Sequence, residues 1–296
     1  MKLRQDAMLL AVAGMVAGSY ADMFGSGTNQ FELTFQNISS GSNPSSGYGQ
    51  VGYSYGIGTF EITADQWQKY VNASGGPVGS GTGYEDPPTT TGSQAVNNAS
   101  WYEAAQFVNW LNTSSGHQAA YSFDGSGNMS LWSAGEQSST SAFRHKDAVY
   151  ALPSENEWMK AAYWNGTSLQ TYASPGDTEP VAGTDANFLG FGPVWNVGSG
   201  TEELNGTYDM MGNLMEWTES TLSLLDENAN FTRAQRGGSI EYRVTALRSS
   251  DRYQGLPERE DGSYGFRVAS VPEPSSLGLM AVVGGFGWLA RRKFRR

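Results

Sequence analysis

Tyr208-Asp209-Met210-Met211-Gly212-Asn213-Leu214-Met215-Glu216-Trp217 is the stretch on which the reading of the fold turns. Trp217 reads as a core anchor, because large aromatics bury the most area, and Glu216 as a carboxylate that an arginine will meet in the interior. Outward from it, between residue 165 and Ala269, helical periodicity is absent and turns separate short strands. Further toward the N-terminus the pattern changes. Ser154 and Glu157 stand three apart as a capping box that opens a short helix reaching Trp164. Ser100 and Glu103 do the same for Trp101–Leu111, whose apolar stripe is Trp101, Ala104, Ala105, Val108 and Leu111. Thr63 caps a third segment, with Trp67, Tyr70 and Val71 at helical spacing. Alternation predicts strands at Phe31–Phe35 and Tyr53–Ile62, while residues 74–95 and 113–142 read as a Gly/Pro/Thr loop and a Ser/Gly-rich insertion. No internal repeat and no linker divides 51–270. The fold class is therefore α+β: one loop-rich domain over 51–270 with short strands and two or three short helices. Residues 22–50 precede it as an extension holding a possible edge strand.

Composition narrows the function. The chain has 296 residues, 12% of them aromatic, with 38 glycines, no cysteine and two histidines. That length is ample for a buried core, and the aromatic content argues against disorder. The absence of cysteine excludes a disulfide scaffold, a thiolate metal site, a redox pair and a cysteine nucleophile. His117 and His145 are expected at the surface, so a mechanism needing a histidine pair and a third ligand has almost no material. Neither Gly-x-Ser-x-Gly nor a phosphate loop occurs. A formal charge of −11 argues against nucleic acid and anionic membrane surfaces as partners.

Both ends read as addresses. Lys2 and Arg4 precede an uncharged apolar run from Ala7 to Gly18, and Ser19-Tyr20-Ala21 supplies small residues at −3 and −1. This is the pattern of a secretory signal peptide over residues 1–21, cut after Ala21; a buried N-terminal helix is the alternative. At the other end, residues 271–296 carry Pro272-Glu273-Pro274, an apolar run from Leu277 to Ala290 and a basic stop, Arg291-Arg292-Lys293-Phe294-Arg295-Arg296. The run is short for a transmembrane helix, which needs ~20 residues, and the basic end would stay cytoplasmic. Motif, apolar stretch and basic stop together resemble the PEP-CTERM sorting signal of Gram-negative bacteria. That resemblance implies export through the inner membrane, processing by an exosortase and an envelope or extracellular location. The two addresses also mask charge: residues 22–290 hold 11 basic and 28 acidic side chains, a net of −17.

Five ordered segments carry a second resemblance: Gly58-Thr59-Phe60-Glu61-Ile62-Thr63, Val96–Ala104, Leu152-Pro153-Ser154-Glu155-Asn156-Glu157-Trp158, Tyr208–Trp217, and Arg236-Gly237-Gly238-Ser239 followed by Leu247-Arg248, Arg252 and Gly265-Phe266-Arg267. They are similar to the formylglycine-generating enzyme, or sulfatase-modifying factor, family over about 51–269. The resemblance implies a single α+β domain related to C-type lectins. Within the motifs, Trp101, Trp158 and Trp217 read as core anchors, and Gly237, Gly238 and Gly265 as turn residues with positive φ. Arg236, Arg248, Arg252 and Arg267 are expected to hold buried carboxylates and loop carbonyls, with Glu157 and Glu216 as partners. The family's calcium positions fall on Asp209, Gly212, Leu214 and Glu216, a set chemically suited to calcium if waters complete it; a buried water or an arginine could occupy the same place. A second family calcium site would start at Asn187 and Phe188, but the loop that follows lacks the expected aspartate.

The family's oxidase holds copper with a cysteine pair between the RGGS-like motif and the next arginines. Here that stretch is Ile240–Leu247, without Cys or Met, and soft copper needs such ligands. No copper is expected. Two functions stay open. One is an exported, non-oxidase binding or structural module with an envelope protein or glycan as ligand, presenting loops 74–95 and 113–142. The other is a modifier of exported proteins with a non-cysteine active site, for which Glu241, Tyr242, Arg243 and Arg248 are the groove candidates.

Overall fold

The computed structural model describes residues 18–79, 86–190, 192–221 and 232–271. Its strands are β1 (Ser19–Phe24), β2 (Phe31–Ile38), β3 (Tyr55–Gly58), β4 (Ser122–Phe123), β5 (Met129–Ser130), β6 (Gln137–Ser138), β7 (Ser141–His145), β8 (Tyr150–Ala151), β9 (Met215–Thr221), β10 (Arg233–Arg236), β11 (Tyr253–Gly255), β12 (Tyr264–Gly265) and β13 (Ala269–Ser270). Three helices accompany them: α1 (Ala64–Ser74), α2 (Trp101–Ser114) and α3 (Glu155–Tyr163). A five-stranded sheet runs β1-β2-β3-β13-β8 and a four-stranded sheet runs β11-β10-β9-β12, with β4-β5 and β6-β7 as small ribbons. The α+β class and the loop-rich, short-stranded character expected from the sequence are what the structure shows.

All three helices start on closed capping boxes, Thr63 with Gln66, Ser100 with Glu103, and Ser154 with Glu157. In each, the cap hydroxyl accepts from the third helical N–H and that residue's side chain accepts from the cap N–H, so two orphan donors are satisfied locally. Helix α1 stops at Gly75, whose φ of 90° is open to glycine at little cost.

The three anchor tryptophans are fully buried, and each indole N–H is satisfied on or beside β9. Trp101 donates to the Thr218 carbonyl at 2.9 Å, Trp158 to Glu216 Oε2 at 2.7 Å, and Trp217 to the Ala99 carbonyl at 2.9 Å. Strand β9, the continuation of the 208–217 stretch, is thus tied to α2 and α3 by side chains as well as to β10 and β12 by its ladder.

Four expectations change. The domain does not open at residue 51: β2 lies inside the sheet between β1 and β3, and Phe31, Leu33 and Phe35 are buried in the main core with Phe107, Trp67 and Phe266. Residues 113–142 are not a free insertion. They fold into β4, β5, β6 and the start of β7, and Tyr121 is buried with its hydroxyl accepting from the Leu152 N–H at 2.9 Å. His145 is buried at 7% exposure, its ring edge-on to Trp132 at 4.7 Å, and His117 is half-buried near Tyr150. Finally, β1 begins at Ser19, so its first three residues lie inside the expected leader. Tyr20 stacks on Phe35 at 5.3 Å, a contact that a cut after Ala21 would remove. The rest of the leader, residues 1–17, and the sorting segment with Pro272, Glu273 and Pro274 lie outside the described residues. Among the described residues no helix is long and apolar enough to cross a membrane.

Candidate functional site

The 208–217 stretch closes into a tight loop with Asp209, Gly212 and Asn213 all at positive φ. Gly212 has a further reason to lack a side chain, since a Cβ there would stand 2.4 Å from the Asn187 carbonyl oxygen. The loop is held by buried acids. Glu203 accepts from the Met210 and Met211 N–H groups at 3.0 Å each, and Glu61 accepts from Asn213 Nδ2 at 2.6 Å and the Leu214 N–H at 3.1 Å. Asp209 Oδ2 accepts from the Gly198 N–H at 2.7 Å.

Four buried carboxylates (Glu61, Glu203, Asp209 and Glu216) therefore gather around one buried guanidinium, Arg267. Arg267 Nε donates to Glu216 Oε2 at 2.7 Å and Nη2 donates to Oε1. The same guanidinium reaches the Gly58 and Tyr208 carbonyls at 2.9 Å. Burial pushes Glu203 up to about 8 and Asp209 up to about 6, and it raises Glu61 well above the usual carboxylate range, with the Asp209 and Glu216 charges adding to it.

The calcium donor set does not fit a cation in this geometry. Asp209, Gly212, Leu214 and Glu216 share one loop, but Glu216 turns both oxygens to Arg267 and Trp158. The positive charge that Glu216 meets here is the Arg267 guanidinium. At the second expected site the Asn187 carbonyl accepts from the Asn213 N–H at 2.8 Å and Phe188 is buried in the core. Among the described residues no three His, Asp or Glu side chains come together as a metal site.

The arginines do bind carboxylates and carbonyls, but the pairing differs from the expectation. Glu157 is met by Arg144, with Nη2 to Oε2 at 3.0 Å, and the same guanidinium donates through Nε to Glu219 at 2.7 Å. Arg236 and Arg252 share Glu155, each donating through Nε to Oε1 at 2.7 Å. Among the described residues Arg248 pairs with no carboxylate; its Nε donates to the Tyr172 hydroxyl at 3.0 Å. Gly237 and Gly238 have the expected positive φ, whereas Gly265 lies in β12. What Gly265 provides is room, because a Cβ would sit 2.7 Å from Leu214 Cδ1.

Ile240–Leu247, the stretch that carries the family's copper cysteines, forms a turn and a 3-10 helix at Val244–Leu247. Ala246 and Leu247 are buried; Tyr163 donates its hydroxyl to the Leu247 carbonyl at 2.9 Å, and Gly238 packs so close that its Cβ would lie 2.8 Å from Leu247 Cδ2. Within this stretch the apolar side chains of Ala246 and Leu247 thus turn inward. Glu241 and Arg243 are exposed on its outer side, while Tyr242 and Arg248 are half-buried. The four groove candidates do not converge on one point: Arg248 turns to Tyr172, whereas Tyr242 packs against Tyr253 at 5.1 Å between ring centroids. Next to that pair Arg259 lies 5.4 Å over the Tyr264 ring, which meets Trp217 edge-on at 5.3 Å. Arg259 is exposed and Tyr242 and Tyr253 are half-buried, forming a tyrosine–arginine surface with Tyr264 buried beneath Arg259, which the motif reading missed. Its only signal was the density of Tyr and Arg between 242 and 264.

Residues 23–271 match the sulfatase-modifying factor enzyme 1-like domain. The chain belongs to that family. Residues 270–296 match the PEP-CTERM protein-sorting motif. Among solved structures, this sulfatase-modifying factor-like chain is similar to Treponema denticola variable protein 1, with a TM-score of 0.63 and 22% identity over 85% of this chain and 99% of that one. It is also similar to CarF (TM-score 0.56, 24% identity, 75% of this chain and 88% of that one). PvdO from Pseudomonas aeruginosa superposes with a TM-score of 0.56 at 17% identity, over 85% of this chain and 98% of that one. At these identities the likeness shows the fold alone. No curated protein matches the chain significantly. The sulfatase-modifying factor-like domain thus comes joined to a PEP-CTERM motif, which marks the chain for export and for sorting in the Gram-negative envelope by way of an exosortase.

Proposed function

We propose that this sulfatase-modifying factor-like chain is an exported envelope protein that binds rather than oxidises. The observation that carries the reading is the absence of cysteine from the whole chain, with apolar Ala246 and Leu247 turned inward in the stretch to which the resemblance assigns the copper cysteines. The ligand surface in this reading is Tyr242, Tyr253 and Arg259, with Arg259 resting on the buried Tyr264 ring. Tyrosine and arginine supply large contact area with few torsions to freeze, and they dominate recognition surfaces. An envelope glycan or protein is the ligand class, and a signal peptide starts the export.

Two measurements test it. The full chain incubated with a sulfatase-type cysteine peptide, copper and oxygen should leave the cysteine intact; formylglycine by mass spectrometry refutes the binding reading. Cosedimentation with isolated envelope polysaccharide should fall about tenfold in Tyr253→Ala, the effect of one recognition residue. Binding equal to wild type in both Tyr242→Ala and Tyr253→Ala removes the assigned surface.

A further inference from the structure

In the five-stranded sheet, β13 pairs with β3 so that Ser270 faces Gly56, and β2 pairs with β3 so that Asn37 faces the same Gly56. Asn37 in turn donates from its backbone and its side chain to the Gly18 carbonyl, at 3.3 and 2.7 Å. Gly18, Asn37, Gly56 and Ser270 therefore lie in one row across one end of the sheet. The chain enters the fold at Gly18 and leaves it at Val271, whose N–H donates to the Val149 carbonyl at 2.7 Å. Strands β1 and β13 are three ladder spacings apart, about 14 Å. Both apolar address segments, 7–18 and 277–290, thus join the domain at the same end.

A second observation concerns charge. The loop from Ser39 to Ser54 leaves β2 and returns to β3 at this end, and residues 33–60 contain no charged side chain. The charges that touch this loop are mostly buried: Lys160 Nζ donates to Asn43 Oδ1 at 2.8 Å, Glu157 accepts from the Tyr53 hydroxyl, and Arg236 and Arg252 lie over the Tyr48 ring. Lys146 and Asp147, in the turn before β8, are exposed and opposite in sign. In a domain with a net charge of −17 such a stretch is exceptional. An anionic bilayer repels carboxylates and tolerates a neutral polar surface.

We infer that this end of the sheet is a membrane-facing surface, and that its partner is the outer face of the lipid bilayer while the tail is still attached. The inference rests on the export and sorting reading and adds the orientation. Leu277 stands six residues beyond Val271, so at most about 20 Å of chain separates the sheet end from the apolar run. A tether that short, leaving from this end, holds the neutral loop against the headgroups. The β1–β2 turn at Gly25–Gln30 is then directed away, the length of β2 or roughly 23 Å further out.

Because the chain has no cysteine, single labels report cleanly. Full-length Ser40→Cys and Thr28→Cys, both exposed positions, are labelled with a fluorophore. The labelled chains are then reconstituted in phosphatidylethanolamine/phosphatidylglycerol vesicles containing a headgroup spin-label quencher. Flotation reports whether the tail inserts, and quenching reports the face. With the chain floating, quenching at 40 should exceed that at 28 roughly threefold or more, given the extra strand length. Equal quenching, or stronger quenching at 28, overturns the orientation while leaving the sorting reading intact. Failure to float overturns the sorting reading, and the orientation falls with it.

Discussion

Replacing Arg267 by Met is the sharpest probe of how this domain holds together. The methionine keeps much of the volume and removes the one guanidinium among Glu61, Glu203, Asp209 and Glu216. Breaking a buried ion pair from one side costs about 3–5 kcal/mol. The Gly58 and Tyr208 carbonyls also lose their donor, at about 1–3 kcal/mol for each buried group left unsatisfied. Part of that is kept, because Glu216 still accepts from the Trp158 indole N–H in the variant. The net expectation is about 5 kcal/mol, comparable with the whole stability of many domains. At about 2–4 °C per kcal/mol for a domain of this size, Tm should fall by about 10–20 °C in a thermal melt followed by near-ultraviolet circular dichroism. The double variant Glu216→Gln/Arg267→Met removes the orphaned charge along with its partner and should recover part of the loss. A single variant melting within about 3 °C of wild type would refute the idea that Arg267 is the cation of the cluster, since no orphaned buried carboxylate is that cheap. A double variant less stable than the single would show instead that the carbonyl contacts, not the charge, dominate.

Three further outcomes are expected. Excess chelator should leave the Tm of wild type and of Asp209→Ala unshifted relative to added calcium; a calcium-dependent rise lost in Asp209→Ala would restore the metal reading of the 208–217 loop. Burial pushes Glu103 up to about 8, although hydrogen bonds from Ser100 pull it down, so the folded state holds its proton more tightly than the unfolded chain, near 4.5. Its contribution is complete below about 4.5 and is lost as pH climbs to about 8, with a slope of up to about 1.4 kcal/mol per pH unit; urea titrations of Glu103→Gln should show a flatter pH dependence, and an unchanged slope would contradict this. Intact mass of the exported chain should place the mature N-terminus at or before Ser19; a chain beginning at Asp22 would show that the Tyr20–Phe35 stack is dispensable.

Local chemistry was legible and long-range pairing was not. The capping boxes at Ser100 and Ser154 sit within four residues of sequence, so their spacing could be read directly, and both closed as expected. The three tryptophans needed only their size. By contrast, Arg144 lies in a stretch rich in serine and glycine that reads as surface, and its partners Glu157 and Glu219 are 13 and 75 residues away. Arginine and glutamate could be recognised as partner types, but nothing in the order of the motifs says that Glu155 takes two arginines while Arg248 takes a tyrosine. Residues 22–50 read as an extension because glycine, serine and asparagine dominate them; the few apolar positions of β2 all point inward, and the sheet around them is built from distant strands. The tyrosine–arginine surface escaped for the same reason: Tyr253 lies on β11, Tyr264 on β12 at the other edge of the sheet, and Tyr242 in the turn before Val244–Leu247, so only the fold brings them near one another.

The position of β13 has a kinetic consequence. It is the last strand in the chain yet sits inside the sheet, between β3 and β8. Until residues 269–270 arrive, β3 has no neighbour on that side and β8 has none at all in this sheet, so most of the loop-closure entropy must be met late and over a long sequence separation. A chain released early, or truncated before Val268, would leave β3 with an open edge of the kind that pairs with other chains. Only a chain completed through β13 can close the sheet, and the residues that close it lie immediately before the Pro-Glu-Pro motif. Chain order thereby sets the sorting motif directly behind the strand that closes the sheet.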